Sequence, residues 1–319
     1  MHGPLQARFD RREDRRPQPA LGLLGRERFL GPHPQRHRIG GLLGLAGGLP
    51  AEVALAVGVE AGPVVSRHRQ GRIAAGLQQR LGGGAQLLDQ LRKEEKIPAM
   101  AVVVFRAPGF RTTYLNGESG GDIEDIIVGD LLKHLQEKYR LKSEREGRAV
   151  MGVSMGGMGA LKIAMHHPEV FGAVAVHSAA ILPVDPADLP QNYQRQVDMM
   201  MQRGGLAEVF GNPIDKKKWA HEMPLALAAD TKPADLKGLK IYFDAGTEDR
   251  YGFCAPNEQL DKVMTEHGIA HVFTKVEGGG HAWSSPKMKE NLTASLQFVG
   301  ASISGRDPMA KPATTKSEK

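Results

Sequence analysis

The sequence predicts an α/β fold, a mostly parallel sheet covered by helices on both faces. Three observations predict it. From residue 85 onward, short β-branched apolar runs alternate with longer amphipathic stretches, the pattern of successive strand–helix units. One unit, from Arg148 to Leu161, reads as an apolar strand, then Gly-x-Ser-x-Gly, then a small-residue helix start. That order is a sharp strand-to-helix turn that lifts a serine clear of the sheet. Two later strands end in Asp244-Ala245-Gly246-Thr247-Glu248-Asp249 and in Glu277-Gly278-Gly279-Gly280-His281, and the carboxyl ends of parallel strands are where reactive groups gather.

The elements follow in order. Gln86 to Lys96 is a helix by the spacing of Leu87, Leu88 and Leu91, and Pro98 ends that unit. Met100 to Phe105 is a buried strand. Arg106 to Gly121 is loop, with Pro108-Gly109 and Asn116-Gly117 as turn signals. Ile123 to Tyr139 is an amphipathic helix. Val150 to Val153 is the strand before the serine, and the helix after it stops near His167-Pro168. Val170 to Val176 is a strand ending at His177-Ser178. Residues 182–237 interrupt the alternation with Pro183, Pro186, Pro190, Met199-Met200-Met201 and Trp219, and read as a lid-like insertion. The methionine run is either the side of a packed helix or the lining of an acyl pocket. Lys216-Lys217-Lys218 is a solvated face. Leu239 to Phe243 and His271 to Val276 are strands, Asn257 to His267 a helix between them, and Pro286 to Ile303 the last helix. The polar tail, 306–319, reads as frayed.

Residues 1–82 have a different vocabulary. They hold no Lys, Tyr, Thr, Asn, Trp or Cys and a single serine, Ser66, and they are rich in Arg, Gly, Leu and Pro. They read as a disordered tail or a stretch translated out of frame, joined near Gly82-Gly83-Gly84 to a catalytic domain at 83–305. No compact basic–apolar–small signal opens the chain, and compartment is left open. Ile39 to Ala61 is the nearest approach to a membrane span, but glycines, Pro50, Glu52 and Glu60 break it. The net charge of +6 forms no basic stripe interleaved with aromatics, so nucleic acid is not an expected partner. The lone cysteine, Cys254, excludes an internal disulfide.

A serine hydroxyl needs a base to take its proton, and the base needs an acid to orient it. Ser154 is the candidate nucleophile, with Gly152 and Gly156 leaving room for its turn. The first helical N–H, that of Met155, faces where an oxyanion would form. The chain order Ser, acid, His is met by Asp249 and His281 at successive strand ends. Asp244 is the alternative acid, at the strand end itself, and Glu248 should point away from its neighbour. His177 follows a strand but precedes any acid in this order, and reads as wall or core. His166 and His167 sit where a helix C-terminus favours them. His134, His221, His267 and His271 carry no partner signal.

Tyr114-Leu115-Asn116-Gly117, Gly152-Val153-Ser154-Met155-Gly156-Gly157-Met158-Gly159-Ala160, His167-Pro168-Glu169-Val170-Phe171, Val209-Phe210-Gly211-Asn212-Pro213, Asp244 to Asp249 and Gly279-Gly280-His281-Ala282-Trp283 together resemble the esterase D / antigen 85 group of α/β-hydrolases. The resemblance covers about 85–302. It implies the α/β-hydrolase fold and a serine ester hydrolase acting through an acyl-enzyme, with no cofactor or metal. The substrate would be a small-molecule or carbohydrate-linked ester. Two alternatives are acyl transfer to an alcohol at the same site, and a binding protein on a hydrolase scaffold. The resemblance also implies early strands and a His-Gly loop supplying a second oxyanion donor; no such segment can be found, so the early strands read as missing or scrambled. Oligomeric state is left open.

Overall fold

A computed structural model of the chain describes residues 52–58, 84–105, 114–117, 122–139, 141–202, 205–282 and 286–310. Six strands form one sheet: β1 (Glu52–Gly58), β2 (Met100–Phe105), β3 (Arg148–Val153), β4 (Ala173–His177), β5 (Lys240–Gly246) and β6 (His271–Val276), in the order β2-β1-β3-β4-β5-β6. From β3 to β6 the pairing is parallel; β1 runs antiparallel to both β2 and β3.

Strand β1 corrects the reading of residues 1–82 as disordered or out of frame at one place, Glu52–Gly58, and supplies one early strand where the early strands read as missing or scrambled. Glu52–Gly58 fills the place between β2 and β3, with Leu55 opposite Val103 and Val150. Its sequence, EVALAVG, is small and apolar throughout, because a strand buried on both faces has no polar side to alternate with. Leu55 packs into the core on one face of the sheet and Ala56 into the core on the other. The remainder of 1–82, with the out-of-frame reading attached to it, lies outside the described residues, as do the turns at 106–113.

The two faces are covered as the alternation predicts. On one, Val103, Val150, Val174, Val176, Ile241 and Phe243 meet helices α2, α3 and α8 (Cys254–Glu266). Helix α2 consists of Ile123–Asp125, a π-wound Ile126–Leu131 and Leu132–Lys138, and α3 is Met155–His166. On the other face, Val102, Met151, Ala175 and Tyr242 meet Leu88 and Leu91 of α1 (Gly84–Lys93) and Leu292, Leu296 and Val299 of α9 (Pro286–Ile303). The insertion forms four helices, α4 (Gln191–Gln202), α5 (Gly205–Phe210), α6 (Lys216–Glu222) and α7 (Pro224–Asp230), around a core shared with Met155 and Met158 of α3 and with Phe253. There Trp219 is fully buried against Phe210, and its indole N–H donates to the Pro183 carbonyl at 2.9 Å. Met201 packs on this core while Met199 stays exposed, so the run divides between packing and solvent. Lys216 meets Asp185, and Asp215 caps the N–H groups of Lys217 and Lys218. The start of the tail is not frayed: Lys240 pairs with Asp307 at 3.2 Å and Met309 packs on the core.

A buried ionic cluster joins helix α3 to its surroundings. The Lys162 ammonium, 1% exposed, bonds Glu124 at 2.5 Å, Glu222 at 2.9 Å and the Tyr114 carbonyl at 2.8 Å. The other Glu124 oxygen meets His166 Nδ1 and His167 Nε2. His166 and His167 thus bond a carboxylate on α2, a stronger role than the helix-end placement expected of them. His221 and His271, which carried no partner signal, have partners too: the His221 ring stacks on His166, and His271 Nε2 meets Asp261 at 2.9 Å.

The hydrogen bond to Glu124 raises the His167 pKa above its usual 6.5. A raised folded value means this contribution is fully present below about pH 6.5 and is lost as pH climbs through the raised value. His167→Gln is therefore expected to cost stability at pH 6 and progressively less in alkaline buffer. Urea midpoints measured at both ends check this; a deficit that does not change with pH contradicts it.

Candidate active site

The serine turn is built as the motif requires. Ser154 joins β3 to α3 with φ 57° and ψ −122°, a left-handed conformation that costs a non-glycine residue about 1–3 kcal/mol and persists only where surroundings impose it. Its N–H donates to the His177 carbonyl at 3.0 Å, and its carbonyl accepts from Ala180 and Met158 at 3.0 and 3.1 Å. A Cβ on Gly152 would stand 2.1 Å from the Gly156 carbonyl oxygen, so only glycine lets the strand and helix approach this closely. Met155 opens α3 and is almost fully buried; its N–H, in the first turn, has no intrahelical acceptor.

The acid and base loops are laced together. Thr247 N–H donates to the Val276 carbonyl, Glu248 N–H to the Gly279 carbonyl and Gly278 N–H to Thr247 Oγ1. A Cβ on Gly246 would meet the Gly279 carbonyl at 2.2 Å. This lacing brings Asp249 to His281: the imidazole Nδ1 lies 2.8 Å from Asp249 Oδ2. The other carboxylate oxygen accepts the Tyr251 N–H at 2.9 Å. A carboxylate oxygen accepts here, which gives the donor role in this bond to Nδ1 and leaves Nε2 as the ring nitrogen facing away from Asp249. Tyr251 meets the imidazole edge-on at 4.6 Å between ring centres, and Phe253 lies tilted at 5.6 Å.

The His281 loop also reaches the surroundings of Ser154. Ala282 N–H donates to Ser178 Oγ at 2.9 Å, and the residues around Ser178, His177 and Ala180, both bond the Ser154 backbone. Ser154 Oγ and His281 Nε2 are each buried and each lack a hydrogen-bond partner. The hydrogen bonds therefore join Asp249 to His281 and leave the serine hydroxyl unjoined.

The competing residues are engaged elsewhere. Asp244 is fully buried and its Oδ2 meets His177 Nδ1 at 2.6 Å, across the β4–β5 register. His177 Nε2 meets Ser295 Oγ at 2.9 Å, so this buried chain ties α9 to the sheet. Glu248 is exposed. Glu124, His166 and Glu222 offer ligand atoms within 4.8 Å of one another, yet the Lys162 ammonium already bridges the two carboxylates. Trp283 lies outside the described residues. Sequence reasoning missed Ser178, Tyr251 and Phe253; the Asp-x-Tyr spacing of an Asx turn at Asp249 was the available signal.

A model of the putative esterase family matches residues 77–298. An acetyl esterase of Caldicellulosiruptor saccharolyticus is 25% identical over 183 residues, 57% of this chain and 66% of that protein. An esterase of Mycobacterium tuberculosis is 26% identical over 174 residues, 49% of this chain and 35% of that protein. The chain thus spans less than the full length of the curated relatives it matches, about a third in the second case. The solved structure of a ferulic acid esterase superposes with a TM-score of 0.54 at 20% identity, covering 71% of this chain and 80% of that one. With its sheet flanked by helices on both faces and its strand–serine–helix turn, the chain belongs to the putative esterase family and has the α/β-hydrolase fold.

Proposed function

We propose that the chain hydrolyses carboxylic esters through an acyl-enzyme formed on Ser154. The observation that carries this reading is the Asp249–His281 hydrogen bond, which leaves Nε2 as a buried acceptor in the same loop cluster as an equally unpartnered serine hydroxyl. Two complementary groups buried without partners are costly, about 1–3 kcal/mol each, and a cost of that kind concentrates where chemistry uses it. In apo structures catalytic hydrogen bonds are often long and tighten only around substrate.

In this mechanism Ser154 Oγ attacks the ester carbonyl while His281 Nε2 takes its proton. Asp249 holds the imidazole tautomer and stabilises the imidazolium. The Met155 N–H donates to the oxyanion. Collapse breaks the bond to the leaving alcohol, which receives the proton from Nε2. Water then gives a proton to the same nitrogen and attacks the acyl carbon; collapse breaks the bond to Ser154 Oγ, which takes the proton back from Nε2, and the acid is freed. None of these steps uses a cofactor.

The substrates are small carboxylic esters, in keeping with relatives named for acetyl and ferulic acid esters. No described helix is long and apolar enough to cross a membrane. A fluorophosphonate probe tests the reading: it should label the full chain once, on Ser154, and leave Ser154→Ala unlabelled. Equal labelling of both overturns it, and so does a folded wild-type chain that takes no label, which would favour a binding protein.

A further inference from the structure

The acid–base pair is held from behind by the insertion. Helix α4 begins just after Pro190, and Tyr193 in its first turn is buried, its N–H donating to the Pro190 carbonyl at 2.8 Å. Its ring lies flat on Phe253, 5.6 Å between centres and 6° from parallel. Its hydroxyl donates to the Tyr251 carbonyl. Tyr251 is the residue whose N–H holds Asp249 Oδ1, and Gly252 N–H closes the same turn on the Asp249 carbonyl at 2.8 Å. The turn is completed by Gly252 at φ +73°, where an added Cβ would face the Tyr193 hydroxyl at 4.0 Å. Both rings flanking His281 are therefore reached from Tyr193, one by stacking and one through its backbone.

We propose that Tyr193 is a positioning residue for the Asp249–His281 pair, coupling the insertion to the geometry of the base. The inference rests on the ester-hydrolase reading of that site. Tyr193 meets Phe253 and the acid-loop backbone, and it acts through the turn that presents the carboxylate. Burial, and next the nearby Asp249 charge, push its phenol well above the usual value, so it remains a donor across the working pH range. Losing that donor leaves the Tyr251 carbonyl unpaired and frees the turn to drift, and small misplacement of catalytic groups costs rate steeply. A looser carboxylate also stabilises the imidazolium less, so the base loses its proton at lower pH. The charged groups around the ring are Asp249 and, over the Tyr251 ring at 4.8 Å, Arg250; a change at Tyr193 keeps both charges and alters only how the turn holds Asp249.

The test uses the full chain with p-nitrophenyl acetate and compares wild type, Tyr193→Phe, Tyr193→Leu and Ser154→Ala. Tyr193→Phe keeps the stacked ring and is expected to lower kcat by roughly ten-fold with KM within about two-fold. The acid limb of its kcat/KM profile should move to lower pH, by on the order of half a unit. Tyr193→Leu, without ring or hydroxyl, should lower kcat further. A Tyr193→Phe enzyme with wild-type kcat and pH profile overturns the inference. So does a fall in kcat matched by a fall in folded fraction with the acid limb unmoved, since packing alone predicts that. Activity surviving in Ser154→Ala overturns the site reading and this inference with it, whereas an inactive Ser154→Ala beside an unchanged Tyr193→Phe overturns this inference alone.

Discussion

Replacing Ser154 by alanine is expected to lower kcat for short-chain p-nitrophenyl esters by about 10⁴–10⁶-fold, with KM within a few-fold of wild type. The size follows from what the hydroxyl does. Under the proposed mechanism it is the group that forms the bond to the acyl carbon. Asp249 is bonded to His281, and Asp244 is turned away on His177. Groups that act as a unit lose their effect together, so Ser154→Ala combined with His281→Ala should be no slower than Ser154→Ala alone. Stability should move the other way. The hydroxyl is buried without a partner, and removing it relieves a desolvation cost of about 1–3 kcal/mol while leaving the backbone at φ 57° as it was. Ser154→Ala should therefore melt at or above the wild-type temperature. A variant within ten-fold of wild-type activity would end the nucleophile assignment. A variant that is inactive and also unfolded would mean that the serine is structural.

The strands and helices from β2 onward are legible because each carries its own local signal. Met100–Phe105, His271–Val276 and Pro286–Ile303 have the limits that apolar runs and proline punctuation predict. The serine turn is legible because its glycines answer a backbone contact, as at Gly152. Strand β1 is not, for a physical reason. Ala and Leu favour helix intrinsically, and a strand covered on both faces shows no alternation. Its surroundings, rich in Gly and Pro, also read as loop. What holds Glu52–Gly58 is its pairing with β2 and β3, which no local pattern encodes. The site divides in the same way. Residues at strand ends can be named from order alone. The aromatic rings beside His281 come from the acid loop and the ring stacked on one of them, Tyr193, from the insertion, and their meeting is a property of packing. His271 escaped for a related reason: its partner Asp261 lies ten residues earlier, across a helix-to-strand turn that sequence spacing does not close.

Lys162→Met is the change expected to cost most in stability, about 3–5 kcal/mol. An ammonium has three protons to donate, and here three acceptors from three segments receive them: the Tyr114 carbonyl, Glu124 on α2 and Glu222 on α6. The methionine fills a similar volume and leaves two carboxylates, 6% and 16% exposed, without their cation. Burial alone would raise the Glu124 pKa, but hydrogen bonds from His166 and His167 and the Lys162 charge outweigh it and hold the group well below the ordinary carboxylate range. A depressed folded value contributes stability that is present above about pH 4.5 and is lost as pH falls toward the folded value. The gap between wild type and Lys162→Met should accordingly be widest near neutrality and shrink in acid. Lys162→Met with Glu124→Gln and Glu222→Gln should regain part of the loss, because removing a buried ionic group whole is far less costly than orphaning one side of it. The melting temperature of the single variant should fall by roughly 10 °C, and chemical denaturation at about pH 3 and at pH 7, on either side of the unfolded carboxylate value, reads the pH dependence. The site depends on the same contact, because the helix that carries Lys162 begins at the nucleophile and Glu222 ends a helix of the insertion. A single variant within about 1 kcal/mol of wild type at pH 7 would mean that the insertion and the serine's helix are held together by apolar packing alone.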